Sequence, residues 1–278
     1  MNLLIFKLIL TPLLIAMATL AVRRWGFVLG GLFTGLPLIS GPVSLFLALE
    51  QGPRFARQSS HGMLLGTIAL VFFCVAYIRA AKGLRWLTPM IVGFASYFLA
   101  AWSLSFFSFN PGILTVLVVF FLSAAVKVAG LPASCASSVA APSWDIPMRM
   151  VTATAVVFII TSGAEHIGPK WSGILAPFPV FTSIMGGFAQ KQNGAAAAHE
   201  LVRGIVIGCF GAVSFYLVVG LAIERTSVAV TYLLATAAAL AINGLCLAVL
   251  TQKTRNFKSG RAVAQPGATL TTKDRKRF

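Results

Sequence analysis

The chain is predicted to be an all-α polytopic membrane protein of about nine transmembrane helices, arranged as two inverted four-helix repeats joined by a linker helix. Three observations predict it. Of its 278 residues, 58% are hydrophobic and only 10% charged. Apolar stretches of about 20 residues recur along the chain, each long enough to cross a hydrocarbon layer of about 30 Å at 1.5 Å per residue. Residues 26–76 reappear as residues 168–218 at a constant offset of 142, with Gly26, Gly31, Pro37, Phe46, Gly52 and Gly62 meeting Gly168, Gly173, Pro179, Phe188, Gly194 and Gly204. A long-period repeat decides architecture before any local reading does. The alternating ten-residue segments of a transmembrane barrel are not seen.

Nine spans follow in order. The first, 2–22, has no basic segment before its apolar run, so it reads as a retained helix and not a cleaved leader. Segments 27–50, 60–78 and 86–107 complete a first repeat within residues 1–110. Segment 111–129 has no mate at the offset and serves as the linker helix of residues 111–141. Segments 147–164, 171–190, 202–223 and 228–251 form the second repeat, within 142–251, and match the first four in order. Residues 252–278 are basic and polar, contain Pro266 and Gly267, and are expected to be a disordered cytoplasmic tail.

The net charge of +16 suggests nucleic acid, but the basic residues occupy short connections and the tail, not one polar face, so no nucleic-acid partner is expected. In a membrane chain they report orientation instead. With the N-terminus outside, Lys7, Arg54, Arg57, Lys170 and Arg225 lie on the outer side and the other 17 of the 22 Lys and Arg on the inner side. That bias predicts a bacterial inner-membrane protein with a periplasmic N-terminus and a cytoplasmic C-terminus. Matching spans are then separated by five crossings, an odd number, so the two copies point in opposite directions.

Both copies interrupt an apolar span with proline. The span 27–50 carries Gly35, Pro37, Gly41 and Pro42 in its middle, and 171–190 carries Pro177 and Pro179 at the matching depth. Proline in a helix interior removes a donor and clashes with the preceding turn, at about 3 kcal/mol or more. In lipid a freed backbone group finds no water, so such breaks belong where protein or a wet cavity surrounds them. Ser40 as an N-cap and Pro42 in the first turn predict a half-helix that starts mid-membrane with bare N–H groups. Thr182 and Ser183 supply hydroxyls at the matching positions. Paired broken helices in inverted halves are the sequence sign of a secondary transporter's binding site. Pro37, Ser40, Gly41, Pro42, Pro177, Pro179, Thr182 and Ser183 are therefore the candidate substrate-binding residues.

Coupling or gating candidates are Lys7 and Arg149, equivalent at the offset, together with Glu50 and Gln192 at the ends of the two broken spans. Snorkelling is the plainer reading of the two cations, and an interfacial loop that of Glu50. Asp145 reads as a helix cap, and His61 and His199 as interface residues at span beginnings. The glycine pairs Gly62/Gly66 and Gly204/Gly208 read as close-packing surfaces against the broken helices. The four cysteines are scattered, no metal-ligand spacing occurs, and no catalytic set, P-loop or dinucleotide fingerprint is present. The expectation is a non-enzyme without metal or cofactor.

At GLPLISGPVSLFLALEQG and GILAPFPVF the chain resembles the small bacterial GlpM-like inner-membrane proteins, over residues 26–78 and 168–220. The first copy departs from the tighter form, with Gly35-Leu36-Pro37 where the second has Pro177-Phe178-Pro179. The resemblance implies a small membrane unit that duplicated and fused through the linker helix, and it implies little about activity. The expected function is secondary transport or export of a small polar, anionic solute between the two broken helices. The alternatives are a translocase for a lipid or lipid-linked phosphate and a non-transporting scaffold subunit. The partners are a small-molecule or lipid substrate, the membrane, and a second copy in a homodimer.

Overall fold

The structure is a computed structural model that describes residues 35–82, 86–130 and 144–263, with Ile9, Pro12, Leu13, Ala16, Met17, Leu20, Arg24 and Leu32 before them. Lys7 lies outside the described residues, as do the side chains of Asp145, Arg149 and Gln192. All described elements are helices: α1 (Ser40–Glu50), α2 (Pro53–Ala81), α3 (Leu87–Ser105), α4 (Pro111–Ala129), α5 (Asp145–Leu175), α6 (Val180–Ala222) and α7 (Val228–Val263). Among the described residues, five segments are long and apolar enough to cross a membrane: Pro53–Ala81, Leu87–Ser105, Pro111–Ala129, Gly194–Ala222 and Val228–Val249.

The connections expected between spans are shorter than predicted. Gly52 (φ 88°, ψ 170°), Gly168 (φ 74°, ψ 169°) and Gly194 (φ 82°, ψ 177°) each turn the chain in one residue. Only glycine enters that region without strain. Pro53 and Pro169 follow two of these glycines at the first helical position, where a missing N–H costs nothing. Helix α2 therefore starts at Pro53, and Arg54 and Arg57 occupy its first turns instead of a loop. Helix α5 bends at Gly168, and α6 bends at Gly194 where a loop was expected. At the other end α7 runs on to Val263, so the tail expected to be disordered from residue 252 begins as helix. Pro266 is the first proline after Ala222.

At the centre lie α2 and the limb Gly194–Ala222 of α6, largely buried along their lengths. They run antiparallel. Arg57 pairs with Glu224, Ser60 lies against Gly220, and Lys82 lies near His199. The shorter limbs run the other way along these partners. Gly35 sits on Gly208 and Ser40 on Tyr216, so α1 runs parallel to α6 and reverses into α2 at Gly52. Pro177 lies on Gly66 and Gln190 bonds both Tyr77 and the Ala81 carbonyl, so limb 180–193 runs parallel to α2 and reverses at Gly194.

Close approach depends on the small residues singled out in the sequence. A Cβ on Gly62 would overlap the Lys170 carbonyl, one on Gly66 the Ile174 carbonyl, and one on Gly208 the Leu32 carbonyl. The last two are equivalent contacts at the offset, since Leu32 matches Ile174 and Gly66 matches Gly208. Helices α3 and α7 flank the pair, α3 through Phe73 and Phe94, and α7 through Phe215 and Tyr232. Helix α4, expected as the linker, is capped by Asn110, which accepts from Gly112 N–H at 3.0 Å. It buries the stripe Leu114, Val118, Leu122 and Ala125 and leaves Ile113, Val116 and Phe120 exposed, a lipid-facing pattern.

Candidate functional site

The two prolines shared by the repeats break their helices in the same way. Leu38 N–H donates to the Leu36 carbonyl at 2.7 Å, closing a three-residue turn around Pro37. At the equivalent place Val180 N–H donates to the Phe178 carbonyl at 2.8 Å around Pro179. Pro179 has φ −77° and ψ 42°, close to the inverse γ-turn. Helical bonding resumes at once, from Gly41 N–H to Pro37 at 2.7 Å and from Ser183 N–H to Pro179 at 2.9 Å.

This geometry corrects one expectation. Ser40 is not an N-cap: Ile39 precedes the helix in an αR conformation (φ −98°, ψ −49°) and makes no side-chain cap bond. Gly41 and Val43 N–H are taken by the Pro37 and Ile39 carbonyls, and Pro42 has no N–H to offer. The half-helix therefore offers fewer bare donors than predicted, because the γ-turn keeps the break only a few residues long. The Ser40 hydroxyl is left to reach the phenol of Tyr216, at 2.5 Å. Helix α3 serves the second break, with Tyr97 donating to the Ile174 carbonyl at 2.7 Å. Phe178 N–H, the helical partner that carbonyl would have had, bonds Leu175 instead, at 3.0 Å. An unmet backbone acceptor in such a setting costs several kcal/mol.

Between the breaks lies a cavity of about 50 Å³, lined among others by Ser40, Thr67, Pro177, Thr182, Cys209 and Tyr216. That is room for a few waters. Of the eight candidate binding residues, Ser40, Pro177 and Thr182 line it directly. Pro37, Gly41, Pro42 and Pro179 build the turns beside it. Ser183 is turned away, its hydroxyl donating to the Val180 carbonyl at 2.8 Å in its own helix.

A larger space of about 670 Å³ opens at the end where α2 begins and α6 finishes. Arg54, Arg57, His61, Gly220, Glu224 and Tyr216 are among its walls. Arg57 Nη1 donates to Glu224 Oε2 at 2.7 Å across this mouth, in a partly exposed ion pair. Tyr216 borders both spaces and stands between them. At the opposite end of the pair lie Lys82, His199, Glu200 and Arg203, with Glu200 and Arg203 buried.

Of the coupling candidates, Glu50 is exposed at the last position of α1. Arg149 and Gln192 lie on helical backbone. Sequence reasoning passed over Glu200, which sits in the first turns of a long apolar helix, three residues before Arg203. An acid and a base three apart on one helix face was the available signal. Tyr216 was missed because its repeat mate is Cys74, so the symmetry that flagged the prolines gave no signal there. Comparison with family models, curated proteins and solved structures finds no match to this chain.

Proposed function

We propose that the chain is a secondary transporter of a small polar, anionic solute, built from two inverted repeats that trace to a GlpM-like unit. The observation that carries this reading is the pair of equivalent γ-turn breaks, at Pro37 and Pro179, flanking one cavity whose mainly apolar lining carries the hydroxyls of Ser40, Thr67, Thr182 and Tyr216. Broken helices meeting at a repeat interface are how secondary transporters make room for substrate inside the bilayer. Inversion is supported by direction: α2 and the limb Gly194–Ala222, equivalent at the offset, run antiparallel, as do α1 and limb 180–193. The cavity has room for only a few waters, so this is a closed state and a solute enters when the halves part. The Arg54–Glu224 mouth is then periplasmic and the Lys82–Arg203 end cytoplasmic, in the orientation set by the Lys and Arg distribution. Ser40 and Thr182 bind the solute through their hydroxyls.

Uptake and efflux in a deletion strain, with metabolite profiling, identifies the solute. Ser40→Ala and Thr182→Ala are each expected to reduce its flux about tenfold, the effect of one hydrogen bond of about 1.4 kcal/mol. Flux untouched in both variants, at normal expression, sinks the site.

A further inference from the structure

We propose that each end of the central helix pair holds an oxyanion-binding station, Arg57 with His61 at one and His199 with Arg203 at the other. The ligand is a carboxylate or phosphate group. The proposal rests on the transport reading for the direction of travel, but binding is measurable without it.

The argument begins with position. Each central helix is preceded by a glycine in the same rare conformation, Gly52 or Gly194. In both, the fifth and ninth residues after that glycine are basic or His: Arg57 and His61, then His199 and Arg203. Residues four apart share one helix face. At the offset Arg57 matches His199 and His61 matches Arg203, so the two positions are kept and the two residue types exchanged. Because the helices are antiparallel, the two pairs stand at opposite ends of the molecule.

Each pair faces further charge. At the first mouth Arg54 and Glu224 share the 670 Å³ space, and Lys170 lies in electrostatic range of His61. The Lys170 ammonium is held by the carbonyls of Ser105 and Phe107 at 2.6 and 3.0 Å. At the second end the position of Glu224 is taken by Lys82, which with Arg203 lies in range of His199. His199 also bonds the Ala129 backbone, and Glu200 lies in range of Arg203. At both ends the fixed cations outnumber the carboxylate.

The independent sign of a ligand is Arg203. The residue is 7% exposed, and its Nε makes no hydrogen bond. A buried donor left unmet is costly, and the guanidinium fork matches the two oxygens of a carboxylate or phosphate. At the first mouth Glu224 occupies that role on Arg57, as an internal stand-in that an arriving anion displaces.

Calorimetric titration of the full chain in non-ionic detergent, with inorganic phosphate and with succinate, tests this. Glu224→Gln is expected to tighten binding several-fold by freeing Arg57, and Arg57→Gln to weaken it about tenfold. Arg203→Gln is expected to do the same at the second station, with His199→Gln as the gentler variant if the first fails to fold. A second arm measures capture of phosphatidylglycerol from mixed vesicles. Lipid binding that falls in Arg57→Gln, with no binding of the soluble anions, assigns the stations to a headgroup and upholds them. No binding in either arm, or binding indifferent to all four variants, overturns the proposal. Binding without flux upholds the stations and sinks transport, whereas flux with no binding in either arm sinks the stations alone.

Discussion

The single-residue reversals at Gly52 and Gly194 can be tested with one methyl group. Their φ and ψ, 88° and 170° and 82° and 177°, lie in a region that residues with a Cβ occupy only under strain of about 1–3 kcal/mol. A Cβ built on either meets nothing within 4 Å, so alanine adds no clash and its cost is the backbone's own. Loss of unfolded-chain freedom returns about 0.4–1 kcal/mol. The net destabilisation is about 0.5–2 kcal/mol, or roughly 1–8 °C at 2–4 °C per kcal/mol for a chain of this size. Gly163 and Gly244 are the controls. Both are helical with open space for a Cβ, so alanine should stabilise them by about 0.5–1 kcal/mol. The same chemical change thus carries opposite signs at the two kinds of site. The two reversals are separated by the length of α2, roughly 40 Å of helix, so their costs should add in the double variant. Thermal unfolding in detergent, followed by tryptophan fluorescence, reads all of this. Gly52→Ala and Gly194→Ala melting at or above the parent, alongside the controls, would refute the reversals.

The remaining expectations concern the breaks and the barrier beside them. Gly66→Val and Gly208→Val drive a side chain into the Ile174 and Leu32 carbonyls, backbone atoms that cannot swing away. Each should cost about 1–3 kcal/mol or more and abolish flux. Gly41→Ala meets only Phe215 at 3.7 Å and Pro37 at 3.9 Å, so its melting temperature should stay near the parent's. Tyr216→Phe takes from Ser40 its partner at 2.5 Å, a loss of about 1–3 kcal/mol. In a background lacking Cys74, Cys135 and Cys246, that variant should label faster at Cys209 with a methanethiosulfonate reagent added from the Arg57 side. An unchanged labelling rate would mean that Tyr216 does not separate the two spaces.

Much of this architecture was readable because it depends on backbone chemistry. Pro37 and Pro179 forbid a continuous helix, and Gly62, Gly66 and Gly208 mark where backbones nearly touch. Gly52 and Gly194 stood in the alignment of the two copies, yet their effect was misjudged. A loop was expected, but one positive-φ residue followed by a helix former reverses the chain with no loop at all. The cavity lining was less legible, since Ser40 was assigned to a cap by local rules and its true partner lies 176 residues away. Local propensity does not see such a contact, and a lone tyrosine in an apolar helix looks like core.

Where the two copies differ is as informative as where they agree. Alternating access needs two equivalent backbones that are held in unequal states, and equal side chains would give no reason for inequality. The inequalities fall around the cavity and at the two ends. Tyr216 stands opposite Cys74 in the repeat, Glu224 opposite Lys82, and Pro177 opposite Gly35. The first exchange puts a phenol against the cavity from α6, where the equivalent position of α2 is a small thiol buried in the core. The second gives one end an internal ion pair at 2.7 Å and leaves the other with an added cation. On the proposed reading, an anion arriving at the first end must compete with Glu224, whereas one at the second meets Lys82, which attracts it. Unequal competition for the same kind of ligand gives the two ends different affinities for it, and a ligand that binds one end better shifts the balance between the two states when it arrives.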